Sequence, residues 1–219
     1  MIAAPSRYFM LNKVHGMTSQ FISTHPTTLL GDVAFDFPEG IHAVGRLDKN
    51  SEGLLLLTTN KKITALLFQS KVPHKRTYLV QVKNKINAEN LQRLRTGISI
   101  RIKGGERYTT PPCDVQLVSR PDHLWKLPFQ KYVYDESSWL LITLTEGRFH
   151  QVRKMVFSVS HRCQRLIRVS IEDMLLLDLP PGGVKEFAEE EFFTLLHLDK
   201  SSIKNAEEKI KIDPVPAFR

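Results

Sequence analysis

Apolar residues along this chain recur mostly at every second position or in short unbroken runs, which is strand spacing, and only three stretches repeat at helical spacing. Strand patterns fall at 8–12, 53–58, 77–83, 98–102, 114–118, 139–145 and 166–171. Helical patterns cover 61–69, 88–95 and 149–160, the second behind Asn87 as its N-cap and closed by Gly97. The sharpest contrast lies in 42–60, HAVGRLDKNSEGLLLLTTN. There a polar loop holding Arg46 and Asp48 opens directly into four consecutive leucines, so 54–58 predicts an interior strand with the charged pair where the chain enters the core. Gly45 and Gly53 mark the turns on either side. Many strands with few crossover helices predict an α+β domain around a mixed, largely antiparallel sheet, not a doubly wound parallel one.

Composition narrows the class. The 219 residues are 42% hydrophobic and carry no low-complexity segment or solenoid-length repeat, which suits one core of mixed class. The first dozen residues lack a continuous apolar run and no stretch approaches membrane-spanning length, so the expectation is a cytoplasmic protein without a membrane partner. Cys113 and Cys163 stand far apart without paired Cys/His spacing, predicting reduced thiols and no metal site. The formal charge is +8; because residues 181–219 hold six Lys/Arg against eight Asp/Glu, residues 1–180 carry +10. Such an excess attracts phosphate through its long-range field and counterion release, without naming the partner.

On residues alone, Arg46-x-Asp48 ahead of a leucine strand fits either an ion pair capping that strand or a catalytic carboxylate. Four segments turn this reading. GRLDKNSEGLLLLTTN (45–60) resembles the signature loop of the RNA pseudouridine synthases, in the form GRLD-x-x-[ST]-x-GLL-x-LT of their RsuA branch. EGRFHQVRKM (146–155) resembles the family's third motif, a strand-to-helix turn. KRTYLV (75–80) resembles the K-x-Y-x-V strand that carries the active-site tyrosine, and YFMLNKVHG (8–16) resembles the opening strand and its N-K-P-x-G turn, with Val14 in place of proline.

The resemblance implies the pseudouridine synthase fold with a central cleft, and an isomerase that turns a uridine of ribosomal RNA, of the 23S large-subunit type, into pseudouridine. The reaction breaks the C1′–N1 bond, turns the base and joins C5 to C1′ without redox change, so no cofactor is expected. Asp48 becomes the nucleophile or base, with attack at C1′, attack at the ring and a glycal route all open. The resemblance assigns Arg153 as the cation keeping Asp48 ionised, and Tyr78 as the ring stacked on the extruded base. Arg46 is expected to fill the vacated space in the RNA or hold its backbone, and Val152 to wall the uracil. Lys13 supports the site or touches phosphate, and Arg148 and His150 contact RNA.

The residues also suggest a phosphate track around the cleft, from Lys71, Lys75 and Arg76, from Arg101, Lys103 and Arg107, and from Arg162, Arg165 and Arg168. Because the first catalytic strand begins at Tyr8, no room is expected for the S4 RNA-binding module that many branch members carry. Segment 104–138 resembles members lacking it, and its Trp125, Phe129, Tyr132 and Tyr134 either anchor a long loop or contact RNA. A catalytic domain over 1–199, acting as a monomer, is expected to be followed by a tail at 200–219, with Phe192, Phe193 and 195–198 returning to the core. Two other classes compete. A non-catalytic ribosome-assembly factor would have no use for a carboxylate facing RNA phosphate, and a glycoside hydrolase needs a second acid, for which Glu52 and Glu146 are available.

Overall fold

The computed structural model describes residues 5–68, 72–122, 124–125 and 136–199. Within them the chain forms β1 (Tyr8–Lys13), β2 (His42–Val44), β3 (Glu52–Thr58), α1 (Ile63–Phe68), β4 (Arg76–Lys83), α2 (Ala88–Thr96), β5 (Ser99–Arg101), β6 (Arg107–Thr109), β7 (Asp114–Val118), β8 (Ser137–Leu144), α3 (Gln151–Ser158), β9 (Cys163–Ile171), β10 (Met174–Leu175), β11 (Val184–Phe187) and α4 (Glu189–Leu195). Nine strands make one sheet, ordered β11-β1-β3-β9-β4-β8-β7, with β2 added to β3 and β10 to β9. β5 and β6 form a separate hairpin. Among the paired strands described, only β3 and β9 run parallel, so the mixed, largely antiparallel α+β sheet expected from the pattern is the one found. No helix among the described residues is long and apolar enough to cross a membrane.

Why β3 is a leucine run and not an alternation follows from its place in the sheet. Leu54 and Leu56 face one cluster, with Tyr8, Met10, Ile63, Leu67, Phe192 and Phe193. Leu55 and Leu57 face the other, with Phe9, Leu11, Met17, Leu30 and Leu47. All four side chains are removed from water, each worth about 1.5–3 kcal/mol of transfer free energy. Around β4 and β8 a third cluster packs Val80, Val82, Leu140 and Ile142 against Leu91 and Leu94 of α2 and Val152, Met155 and Val156 of α3. The amphipathic spacing of both helices is thereby used. Asn87 caps α2 as expected, its side chain accepting from the Asn90 amide at 2.8 Å.

Several elements escaped the pattern. β2, β6, β10 and β11 are two to four residues long, too short for alternation to register. α4 was expected only as a return to the core, and it does bury Phe192 and Phe193, with Leu196 beyond it. The aromatic loop residues Phe129, Tyr132 and Tyr134, and the tail at 200–219, lie outside the described residues.

The parallel contact of β3 with β9 is short, Glu52 opposite Ile167 and Gly53 opposite Arg168. Gly53 has φ +97°, and a Cβ there would collide with the backbone oxygen and nitrogen of Arg168. Gly53→Ala should therefore lose more than about 2 kcal/mol of stability, combining backbone strain with separation of the two strands. At Gly104, also at positive φ but with nothing near its missing Cβ, the same change should cost no more than about 1 kcal/mol. Urea unfolding of both variants checks this; equal losses would mean the β3–β9 approach is not tight.

Candidate active site

The loop joining β2 to β3 presents Asp48; side chains from three separate parts of the chain hold its backbone, and a fourth fixes Glu52 where the loop enters β3. Ser19 grips Leu47 twice, its Oγ donating to the Leu47 carbonyl at 2.8 Å and accepting from the Leu47 amide at 3.0 Å. Lys13 of β1 is fully buried and its Nζ donates to the carbonyls of Val14 (3.1 Å), Met17 (2.7 Å) and Lys49 (3.3 Å). Arg153 of α3 donates to the Asn50 carbonyl at 2.6 Å and lies 3.4 Å from the Ser51 hydroxyl. Arg165 of β9 makes a buried two-pronged pair with Glu52, at 2.8 and 2.7 Å, while its third nitrogen donates to the Trp125 carbonyl at 2.7 Å.

These contacts bear on three expectations. Of the two roles expected of Lys13, support of the site or contact with phosphate, the enclosed Nζ fits the first, since it pins the loop. Arg153 bonds the backbone of the Asp48 loop instead of pairing with the carboxylate. Arg165 and Arg168 do not belong to a surface phosphate track, since they are 5% and 3% exposed, whereas Arg162 is exposed. Arg76 is buried too, its guanidinium lying 4.6 Å from the Phe68 ring centroid, while Lys71 lies outside the described residues.

Asp48 itself is about one-third exposed, and its nearest ionisable partner is His150, with Nε2 3.6 Å from Oδ1. A cavity of about 850 Å³ opens beside it, and Arg46, Tyr78, Arg148, His150, Val152 and Arg168 are also on its walls. Tyr78 and Arg168 are cross-strand partners on β4 and β9, where a bulge sits between Thr77 and Tyr78. Burial pulls the Arg168 guanidinium below its ordinary value, while the Tyr78 hydroxyl beside it pushes the other way. Its Nε donates to the Leu54 carbonyl at 2.7 Å, and its Nη2 is buried without a hydrogen-bond partner. Arg168 is thus the cationic side chain that the structure adds to the site. The available signal was a single arginine inside the apolar LIRVSI run, which marks a buried charge.

The turn between β8 and α3 is braced by a polar network. Glu146 accepts from the Tyr108 hydroxyl and from Gln151 Nε2, both at 2.6 Å, and Gln151 Oε1 accepts from the Arg148 amide at 2.9 Å. The Arg148 guanidinium carbon sits over the Tyr108 ring, 3.6 Å from its centroid, so a residue of the β5–β6 hairpin orients this rim arginine. Nothing in the sequence linked Tyr108 to the turn, 38 residues away. Glu52 and Glu146 are both engaged in these contacts, so neither is free to serve beside Asp48 as the second acid of a glycoside hydrolase.

Burial lowers the Lys13 ammonium from 10.5 to about 8, opposed by the charges of Glu52 and Asp48. Between about pH 8 and 10.5 the native chain has released a proton that the unfolded chain keeps, so this lysine makes stability rise with pH across that window. Relative to Lys13→Met, the natural chain should gain stability by up to about 1.4 kcal/mol per pH unit from pH 8 upward, read by urea unfolding. Parallel curves for the two proteins would contradict a depressed Lys13.

Known proteins agree with this geometry. The family described as RNA pseudouridylate synthase matches residues 7–158. A ribosomal large subunit pseudouridine synthase E of Xanthomonas axonopodis pv. citri is 37% identical over 178 residues, covering 78% of this chain and 89% of the relative. Its counterpart in Vibrio vulnificus is 35% identical over 187 residues, 84% of this chain and 76% of the relative. A pseudouridylate synthase crystal structure superposes with a TM-score of 0.69 at 26% identity, covering 89% of this chain and 76% of that one. With the family pattern reaching from β1 through α3, and with Asp48, Tyr78 and the α3 turn around one cavity, the chain belongs to the RNA pseudouridine synthases, isomerases that convert uridine in RNA to pseudouridine.

Proposed function

We propose that the protein isomerises a uridine of large-subunit ribosomal RNA, with Asp48 as the nucleophile or base at the sugar. The observation that carries this reading is the convergence of Asp48, Tyr78 and Arg168 on one cavity large enough for an extruded nucleoside. The large-subunit choice is supported by the two relatives named for that activity.

In this reading the uridine leaves its stack at a cost of a few kcal/mol, and the Tyr78 ring meets the extruded base, an interaction worth about 1–3 kcal/mol. The immobilised loop holds Asp48 against the sugar, so little reorganisation accompanies attack. The C1′–N1 bond breaks as Asp48 bonds to the sugar or takes a proton from it, the freed uracil turns in the cavity against buried Val152, and C5 bonds to C1′ as Asp48 is released or returns that proton, with N1 taking up a proton from solvent. The C5 proton then leaves to solvent, and every atom except that exchanged proton returns to the product. Arg168 supplies fixed positive charge beside Tyr78, where electron density shifts onto the uracil. Arg153 acts through the loop it holds, and Arg46, Arg148 and His150 meet the RNA around the opening. The catalytic unit occupies 1–199, works as a monomer and acts in the cytoplasm.

Tritium release from C5-labelled uridine in unmodified large- and small-subunit rRNA tests the proposal. Asp48→Asn should lower release by at least about 10³-fold while retaining RNA binding. Release by the natural chain from small-subunit RNA alone would replace the substrate, and release undiminished in Asp48→Asn would remove the carboxylate from the chemistry.

A further inference from the structure

Among the described phenylalanine, tyrosine and tryptophan residues, only Phe149 and Phe157 are exposed, at 71% and 76%; Phe149 lies on the cleft wall in the turn into α3, and Phe157 lies further along that helix. We propose that the turn into α3 and the outer face of that helix form an RNA-docking surface, on which unpaired bases flanking the target uridine stack on Phe149 and Phe157 while Lys154 meets the intervening phosphate. The inference rests on the reading of the protein as an RNA-modifying enzyme and specifies how its substrate is held.

Phe149 is not exposed through slackness of the chain. Its turn is tied down by Glu146, Gln151, Arg148 and Tyr108, as described above. His150 follows in the left-handed region, at φ 56°, which is uncommon for a non-glycine residue. That conformation lets two consecutive rings stack, with centroids 3.8 Å apart and planes 18° from parallel. His150 lies in turn 3.6 Å from Asp48, so a base lying on Phe149 is a near neighbour of the nucleotide at the carboxylate.

The rest of the surface continues from there. Lys154 stands with its ammonium 5.4 Å from the Phe149 ring centroid, and Phe157, three residues further along the helix, is its neighbour on the same face. The opposite face of α3 is committed to the core through Val152, Met155 and Val156. Two rigidly presented rings with a cation between them match a nucleic-acid strand, whose bases are flat and apolar and whose linkers are anionic. A purely apolar protein partner would leave the lysine unanswered, and the +10 excess of residues 1–180 favours an anionic partner.

The test uses the full chain and an rRNA stem-loop from which it releases tritium. Phe149→Leu and Phe157→Leu keep apolar bulk but remove the stacking surface, and each should weaken binding about ten-fold by fluorescence anisotropy at fixed salt. Both positions are exposed, so melting temperatures should stay within a degree or two of the natural chain. Phe157→Leu should raise the KM for RNA more than it changes kcat. Phe157→Trp should restore affinity and lose indole emission when RNA is added, which a merely structural role would not produce. Lys154→Met should reduce the slope of log affinity against log salt by about one. Unchanged affinity in the double leucine variant would overturn the inference, as would a change confined to self-association in sedimentation. Failure of the natural chain to release tritium from any rRNA would count against the proposed function instead, because the anisotropy arm reads binding alone.

Discussion

Four cationic side chains, Lys13, Arg153, Arg165 and Arg168, converge on the segment that carries Asp48, and the site depends on how their N–H groups are satisfied. A cation withdrawn from water costs several kcal/mol unless hydrogen bonds and opposite charge replace its hydration. Here the replacements are largely backbone carbonyls of the segment itself: Lys49 for Lys13, Asn50 for Arg153 and Leu54 for Arg168. Glu52, at the start of the strand, absorbs Arg165. The loop therefore cannot shift without exposing uncompensated charge, and Asp48 is held without being tied by a tight ion pair of its own. It remains partly open to the cavity, in the field of the Lys13 cation, whose charged form the Asp48 carboxylate in turn favours.

That arrangement requires β3 to lie in the middle of the molecule. Its leucines fill both sheet faces, so the strand is anchored by two cores, and the loop ahead of it inherits that rigidity. Gly53 permits the close approach of β9 that places Arg168 beside Leu54 and opposite Tyr78. The cavity is thus bounded on one side by the Asp48 loop, on another by the bulged β4–β9 pair, and at its rim by the turn into α3. The β5–β6 hairpin, outside the main sheet, reaches that rim through Tyr108.

The signal for Asp48 was strong in the sequence because the family motif and the fold share one short segment: a polar loop, two glycines and an uninterrupted leucine strand. Tyr78 and the 146–155 turn were legible for the same reason. The cations were not. Lys13, Arg76, Arg165 and Arg168 are charged letters that composition assigns to the surface, whereas each is buried where carbonyls, an acid or an aromatic ring happens to converge. Arg153 was assigned to the carboxylate, yet its guanidinium reaches the Asn50 carbonyl two residues beyond it. Short edge strands such as β2 and β11 exist because β3 and β1 offer them free hydrogen-bonding edges, a property of the neighbours and not of their own residues.

By itself, then, the sequence determined the elements whose hydrophobic period is long enough to read, the α+β class, the polar loop that carries Asp48 and the family to which the chain belongs. Those are local properties, set by spacing along the chain and by motifs of a few residues. Only the tertiary structure decided which charges stay in solvent and which brace the site, and that Phe149, in the turn into α3, and Phe157, on the helix itself, stand exposed. Burial and hydrogen-bond satisfaction depend on distant partners, 114 residues away for Arg168 and Leu54 and 181 for Tyr8 and Glu189, and no local pattern encodes that distance.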